Sequence, residues 1–169
     1  MHFRGSIFAS VLMLVFGGTM SRAAAEEGQL PAADSVLIAL RDSLGDQGAL
    51  VDAFGALYPE THLLEQSADR IALDLWSNGQ PYATVFMYQT PSPKSTTAIF
   101  NYWNPDTLVT PFAAEAAKWV EFEVGPLTAQ TSAPDLPVSI ASSGKLSVTL
   151  SRVSSGEESQ FDISFSRSD

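Results

Sequence analysis

Residues 71–89, IALDLWSNGQPYATVFMYQ, constrain the fold more than any other stretch of this chain. Asn78-Gly79 separates two runs in which apolar residues alternate with others, and both residues tolerate the positive φ that a two-residue type I′ turn requires. The stretch therefore predicts an antiparallel hairpin. Counting outward from a regular turn, the facing pairs are Leu75 with Tyr82, Leu73 with Thr84, and Ile71 with Phe86.

This register gives the hairpin one apolar face and one mixed face. The apolar face is expected to pack against helices, and it comprises Ile71, Leu73, Leu75, Tyr82 and Phe86. The mixed face carries Trp76, Met87 and the charged residues Arg70 and Asp74, so a ligand would bind there.

Two helices are predicted before the hairpin. The first covers 34–44, with Asp34 or Ser35 as its cap, and Gly45 ends it in a left-handed conformation. The second begins with Asp46 as its cap and stops before Pro59, because proline cannot continue a helix.

A third helix and several strands are predicted after the hairpin. Thr110 is the expected cap of this helix, with Pro111 at its first position. Strands are expected at 97–103, 138–141, 146–151 and 161–166, with 121–124 either a short strand or the end of the helix and 125–137 a loop. The fold class is α+β: an antiparallel sheet of about five to six strands, with two N-terminal helices and one inserted helix packed on one face.

The N-terminal residues have the pattern of a secretory signal peptide. Arg4 precedes an apolar run at 7–16, and three alanines end the segment at Ala25. The expected organisation is therefore a signal peptide at 1–25, a flexible lead at 26–33 and a single domain at 34–169. Such a protein is exported, to a periplasm or the extracellular space.

Charge and cysteine content exclude several classes of function. The chain has no cysteine, which removes thiol catalysis and cysteine-ligated metals. All 19 acidic residues follow residue 25, whereas Arg4 and Arg22 precede it, so cleavage changes the net charge from −10 to −12. This acidity argues against nucleic acid and anionic membranes and favours a cationic partner. No later segment is long and apolar enough for stable membrane insertion.

No catalytic, metal or cofactor site is predicted. His62 is the only histidine after residue 25, and no nucleophile elbow, phosphate loop or dinucleotide fingerprint occurs. The carboxylate pairs are interpreted as solvated surface charge, and they are Asp42 with Asp46, Glu121 with Glu123, and Glu157 with Glu158.

Aromatic residues near two turns are the remaining candidates for binding. Trp and Tyr beside an amide are typical of protein interfaces and sugar sites. The candidate binding residues are Trp76, Tyr88, Tyr102, Trp103 and Asn104. The alternative is that they fill the protein's own core.

The sequence thus favours an exported, acidic, non-enzymatic protein-binding module of the cell envelope, of inhibitor, immunity or chaperone type. One alternative is a carrier of a small apolar ligand, with a pocket between helices and sheet lined by Tyr82, Phe86, Phe100 or Trp119. A third hypothesis is a hydrolase of envelope polysaccharide that uses paired carboxylates.

Overall fold

A computed structural model describes residues 31–58, 60–77, 79–91, 94–130, 138–155 and 158–168. The predicted signal peptide, most of the predicted lead and Asn78 lie outside these residues. The described residues form three helices and eight strands. In chain order they are α1 (Ala33–Asp42), α2 (Gln47–Leu57), β1 (Glu60–Gln66), β2 (Arg70–Ser77), β3 (Gln80–Pro91), β4 (Lys94–Pro105), α3 (Asp106–Glu123), β5 (Thr128–Gln130), β6 (Val138–Ser143), β7 (Leu146–Ser155) and β8 (Glu158–Ser168).

The strands form one antiparallel sheet in the order β1-β2-β3-β4-β8-β7-β6-β5. Two four-stranded meanders, each preceded by a helix, join where β4 pairs with β8. The strand order of the second half is therefore the reverse of that of the first. The α+β class with an antiparallel sheet is confirmed, but the expected five to six strands were too few.

The two strands that the sequence did not predict, β1 and β5, are the edges of this sheet. β1 is exposed at all but one of its positions, and β5 has three residues, all exposed. Neither has an alternating pattern, because an edge strand forms through backbone pairing with its neighbour and need not bury a face.

The first two helices follow the predicted turn chemistry. Asp46 caps α2, and its carboxylate accepts a hydrogen bond from the Ala49 backbone N–H at 3.0 Å. Gly45 adopts a φ of +99° between the two helices. The predicted cap of α1 at Asp34 or Ser35 is wrong, because α1 begins at Ala33 after Ala32, which has no side-chain capping bond, and both predicted residues lie in its first turn.

Helix α3 begins earlier than predicted, at Asp106, and Pro111 lies inside it. The Asp106 carboxylate accepts hydrogen bonds from Arg152 and Ser159, and at 3.2 Å from the Thr110 hydroxyl. These long-range partners hold the first turn in place, which local propensity does not reveal. The segment 121–124 continues this helix to Glu123 instead of forming a strand.

All three helices pack on the same face of the sheet. Ring contacts join them to the sheet, with centroid distances of 6.3 Å for Phe54 to Phe100, 6.1 Å for Phe112 to Phe161 and 6.2 Å for Trp119 to Phe165. α1 contributes Val36, Leu37 and Leu40 to the same core. None of the described helices is long and apolar enough to cross a bilayer.

A bulge at Tyr82 makes the predicted register of the hairpin wrong beyond the turn. Ser77 pairs with Gln80 and Trp76 with Pro81, as predicted, but Leu75 then pairs with Ala83. A one-residue shift exchanges the faces of a strand. On the face that packs against the helices, the next pairs are Leu73 with Val85 and Ile71 with Met87. Met87 is therefore in the core, and Phe86 is on the opposite face.

Candidate functional site

The candidate site is the sheet face opposite the helices, which we call the helix-free face. No described helix packs on it. The strand registers place on its central part Asp74, Trp76, Thr84, Phe86, Tyr88, Ile99, Asn101, Trp103, Gln160 and Asp162. These side chains alternate along each strand with those of the core.

A row of polar residues crosses four strands of the helix-free face. Asp74 pairs with Thr84, Thr84 with Asn101, and Asn101 with Asp162. The Asn101 amide donates to Asp162 Oδ1 at 2.6 Å, and the Thr84 hydroxyl lies 3.4 Å from Asp74 Oδ1. We call these four residues the polar row.

Two tryptophans lie beside the polar row. Trp76 follows Asp74 by two positions on β2, and Trp103 follows Asn101 by two positions on β4. Since β2 and β4 both pair antiparallel with β3, they run in the same direction, and both tryptophans are on the same side of the row. Trp76 Nε1 donates to Asp74 Oδ2 at 2.6 Å, and 54% of Trp103 is exposed.

A groove of mixed polarity lies on the other side of the polar row. It has a volume of about 590 Å³, and its walls include Phe86, Ile99 and Tyr88 beside the polar residues Ser67, Asp69 and Gln89. Arg70 and Glu65 line the same groove and form an ion pair, with 3.2 Å between Arg70 Nε and Glu65 Oε2. The helix-free face thus combines exposed aromatic surface with carboxylates.

The charge of this face is negative. Among the described strand residues whose side chains it carries, Arg70 is the only lysine or arginine. Its carboxylates are Glu60, Glu65, Asp74 and Asp162. A cationic surface is therefore the complementary partner in charge.

Asp162 is a half-buried carboxylate of the polar row. Desolvation raises the pKa of this carboxyl above its ordinary value of 3.8, although hydrogen bonds from Gln160 and Asn101 act in the opposite direction. The Gln160 amide donates to the two carboxylate oxygens at 3.2 and 3.1 Å. These donors are neutral, and neither Asp162 nor Asp74 takes part in the ion pairs of the described residues.

The five predicted binding residues divide between the two faces. Trp76, Tyr88 and Trp103 share the helix-free face. Tyr102 is fully buried on the helix side, and Asn104 donates from its amide to the Tyr82 carbonyl oxygen at 3.0 Å. The structure therefore places three of them on one face, with Tyr88 across the polar row from the two tryptophans, and gives the other two internal contacts.

Tyr102 belongs to a buried tyrosine cluster. Its ring centroid lies 5.7 Å from that of Tyr82, which lies 6.2 Å from that of Tyr58. Burial is the largest cause that raises the pKa of all three hydroxyls above the ordinary value of 10. The Tyr82 bulge brings these rings together, and no local pattern in the sequence predicts it.

The space between helices and sheet is filled by aromatic side chains. Phe112 lies 5.9 Å from Phe100 and 5.4 Å from Tyr102, measured between ring centroids. Of the residues proposed to line an apolar pocket there, Phe100 is fully buried in this packing and Phe86 lies on the opposite face.

The carboxylates of the polar row are too far apart for two-carboxylate hydrolysis. Three inter-strand gaps separate Asp74 on β2 from Asp162 on β8, or about 14 Å at about 4.8 Å a gap. Glycosidase pairs are separated by about 9.5 Å at most.

Three members of the predicted carboxylate pairs have structural contacts, and Glu157 of the third pair lies outside the described residues. Glu123 lies 3.3 Å from Arg41, whose Nε also contacts Asp42 at 2.8 Å, and Asp46 caps α2. His62 contacts the Trp76 ring edge-on at 5.6 Å. The described residues contain no group of three or more metal-ligating side chains placed to hold an ion.

Sequence reasoning noted Asp74 but missed Thr84, Phe86, Gln160 and Asp162 as part of this face. Asp162 lies in FDISF, whose alternation already marked it as facing away from the core. Its position beside Asn101 depends on the pairing of β4 with β8, which hairpin patterns do not determine. No family model, curated protein or solved structure matches the chain.

Proposed function

We propose that this protein is an exported, acidic, non-enzymatic protein-binding module of the cell envelope, of inhibitor, immunity or chaperone type, and that its helix-free face binds a cationic protein. The observation that carries the proposal is the composition of that face. It presents Trp76, Tyr88 and Trp103 together with four carboxylates and one arginine that is already paired.

The residue types fit a protein interface. Trp and Tyr are enriched among interface residues that contribute most to affinity, since they bury a large rigid surface. Carboxylates around them attract a cationic partner over distance and oppose acidic ones. Export and the resulting charge of −12 support the same partner class.

The size of the face is also sufficient. Seven inter-strand gaps and six residue steps give about 34 by 20 Å at most, or about 700 Å² in projection. A standard interface buries about 600–1,000 Å² on each partner. The projected area of this face lies within that range.

The test is capture of a partner by the purified protein from an envelope extract at low and at high salt, followed by identification and affinity measurement. A single cationic protein retained at low salt and released at high salt is expected. Trp103→Ala should weaken its binding by at least about 2 kcal/mol, roughly 30-fold.

Phe122→Ala is the matched control, because Phe122 is 86% exposed near the end of α3 and is not on the helix-free face. Equal losses for the two variants would refute binding through this face. Retention that does not change with salt would refute the charge-based choice of partner.

A further inference from the structure

We propose that the helix-free face binds two arginine side chains of its partner, one at Asp74 with Trp76 and the other at Asp162 with Trp103. This inference rests on the proposed protein-binding function and specifies the chemistry of the partner. Each pair puts a carboxylate beside an indole on the same face. One planar cation can therefore stack on the ring and bind the carboxylate at the same time.

The two pairs have similar spacing. Asp74 and Trp76 are two positions apart on one strand, which separates their Cα atoms by about 7 Å. Trp103 lies two positions beyond Asn101, the cross-strand partner of Asp162, so Trp103 and Asp162 are diagonal neighbours, also about 7–8 Å apart.

The protein already binds one of its own arginines in this way. The Arg41 guanidinium carbon lies 5.4 Å from the centroid of the Trp119 ring. Its nitrogens contact Asp42 at 2.8 Å and Glu123 at 3.3 Å. An indole with carboxylates beside it is therefore a combination that holds a guanidinium in this structure.

Arginine fits the two pairs better than lysine. A guanidinium is planar, stacks on aromatic rings and offers several donors at fixed angles, whereas an ammonium is a compact and strongly hydrated charge. Asp74 accepts hydrogen bonds from Trp76 and Thr84, and Asp162 accepts them from Asn101, Gln160 and Ser151, all of which are neutral donors. Each carboxylate has about four lone-pair sites, so more acceptor capacity remains for a guanidinium at Asp74 than at Asp162.

The distance between the pairs favours an extended segment of the partner. The aspartates of the two pairs are about 14 Å apart across the strands, and arginines at positions i and i+4 of an extended chain point the same way about 13 Å apart. A helix matches less well, because same-side residues at i+7 and i+11 are about 10.5 and 16.5 Å away.

The experiment measures the Kd of the purified protein for three synthetic peptides of serine and threonine at low salt. The first peptide carries arginines at positions i and i+4, the second carries lysines there, and the third carries arginines at i and i+3. The first should bind at least about ten-fold more tightly than either of the others.

Variants locate the binding. Asp74→Asn and Asp162→Asn should each weaken binding of the first peptide by about ten-fold, because each removes one charged acceptor. Asp52→Asn is the control, since Asp52 is exposed on α2. Circular dichroism shows whether each variant is folded.

Equal Kd values for the arginine and lysine peptides, or an equal loss for Asp52→Asn, would overturn the inference in favour of nonspecific attraction by net charge. That result leaves the proposed function standing if Trp103→Ala still weakens binding of the captured cationic protein by roughly 30-fold. Failure of the capture experiment would refute the proposed function itself.

Discussion

Tyr82 is the residue that decides which face of β3 meets the helices. As the extra residue of a bulge, it turns Val85 and Met87 into the core and leaves Phe86 on the helix-free face. The sequence does not choose between the registers, because 82, 84, 86 and 83, 85, 87 both include large apolar residues. Pro81, which lacks a backbone N–H, lies beside the bulge and favours an irregularity there.

The bulge predicts that truncating Met87 and truncating Phe86 lower the free energy of unfolding by different amounts. Met87→Ala should lower the free energy of unfolding by about 2–5 kcal/mol, because a fully buried side chain leaves a cavity. Phe86→Ala should cost less than about 2 kcal/mol, since Phe86 is half-buried on the helix-free face. Urea denaturation of both variants gives the comparison, and the reverse order would contradict the bulged register.

Two aspartates are expected to affect stability with opposite pH dependence. Hydrogen bonds from Ser159 and Arg152 lower the pKa of Asp106, whereas desolvation raises that of Asp162. When a carboxyl has a lower pKa in the folded state than in the unfolded state, its charge stabilises the fold above the unfolded-state pKa. This contribution is lost as the pH falls through the folded-state pKa. A raised folded pKa has the opposite effect, so stability declines as pH rises from the unfolded value through the folded one.

Asp106→Asn should therefore be less stable than the wild type at pH 7, and Asp162→Asn should be more stable. Both differences should shrink as the pH falls below the ordinary carboxyl value of 3.8, where the wild-type groups become neutral too. Unfolding free energies measured from pH 3 to pH 8 check both signs. A destabilised Asp162→Asn at pH 7 would show that the charge favours folding.

At the scale of elements, the sequence predicts the cap, the turn and the hairpins that depend on contacts between neighbouring residues. The Asp46 cap, the Gly45 conformation and the two main hairpins depend on neighbours in the chain, and the sequence predicts them. The edge strands β1 and β5 and the start of α3 depend on partners that are distant in sequence. Their residues carry no local signal of those partners.

Gly45 gives a test of the turn between α1 and α2. Gly45→Ala should cost about 1–2 kcal/mol, because an L-residue is strained at positive φ. A methyl group there also lies 3.1 Å from Arg167 Nη2, which donates to the Leu44 carbonyl oxygen at 2.7 Å. Thermal and urea denaturation measure the loss, and an unchanged stability would contradict the left-handed conformation.

At the scale of the whole molecule, the uneven covering of the sheet is the feature with functional meaning. Three helices cover one face, and the strand registers place Trp76, Tyr88 and Trp103 on the other. Alternation predicted Trp76 on the mixed face, whereas the regular register put Tyr88 on the same face as Tyr82 and Phe86, which was expected to pack against the helices. The polar row was not predictable, because Asp162 joins it through a pairing of two strands that are about 60 residues apart.

The most direct test of this account blocks the helix-free face in a chain that has no cysteine of its own. Ser164→Cys introduces a single thiol at the centre of that face, beside Ile99, and Ala114→Cys introduces one at an exposed position on α3. Each thiol is labelled with a bulky maleimide, and the affinity for the captured cationic protein is measured. The account predicts that the label at 164 abolishes binding and the label at 114 leaves it unchanged, whereas unchanged binding with 164 labelled would contradict it.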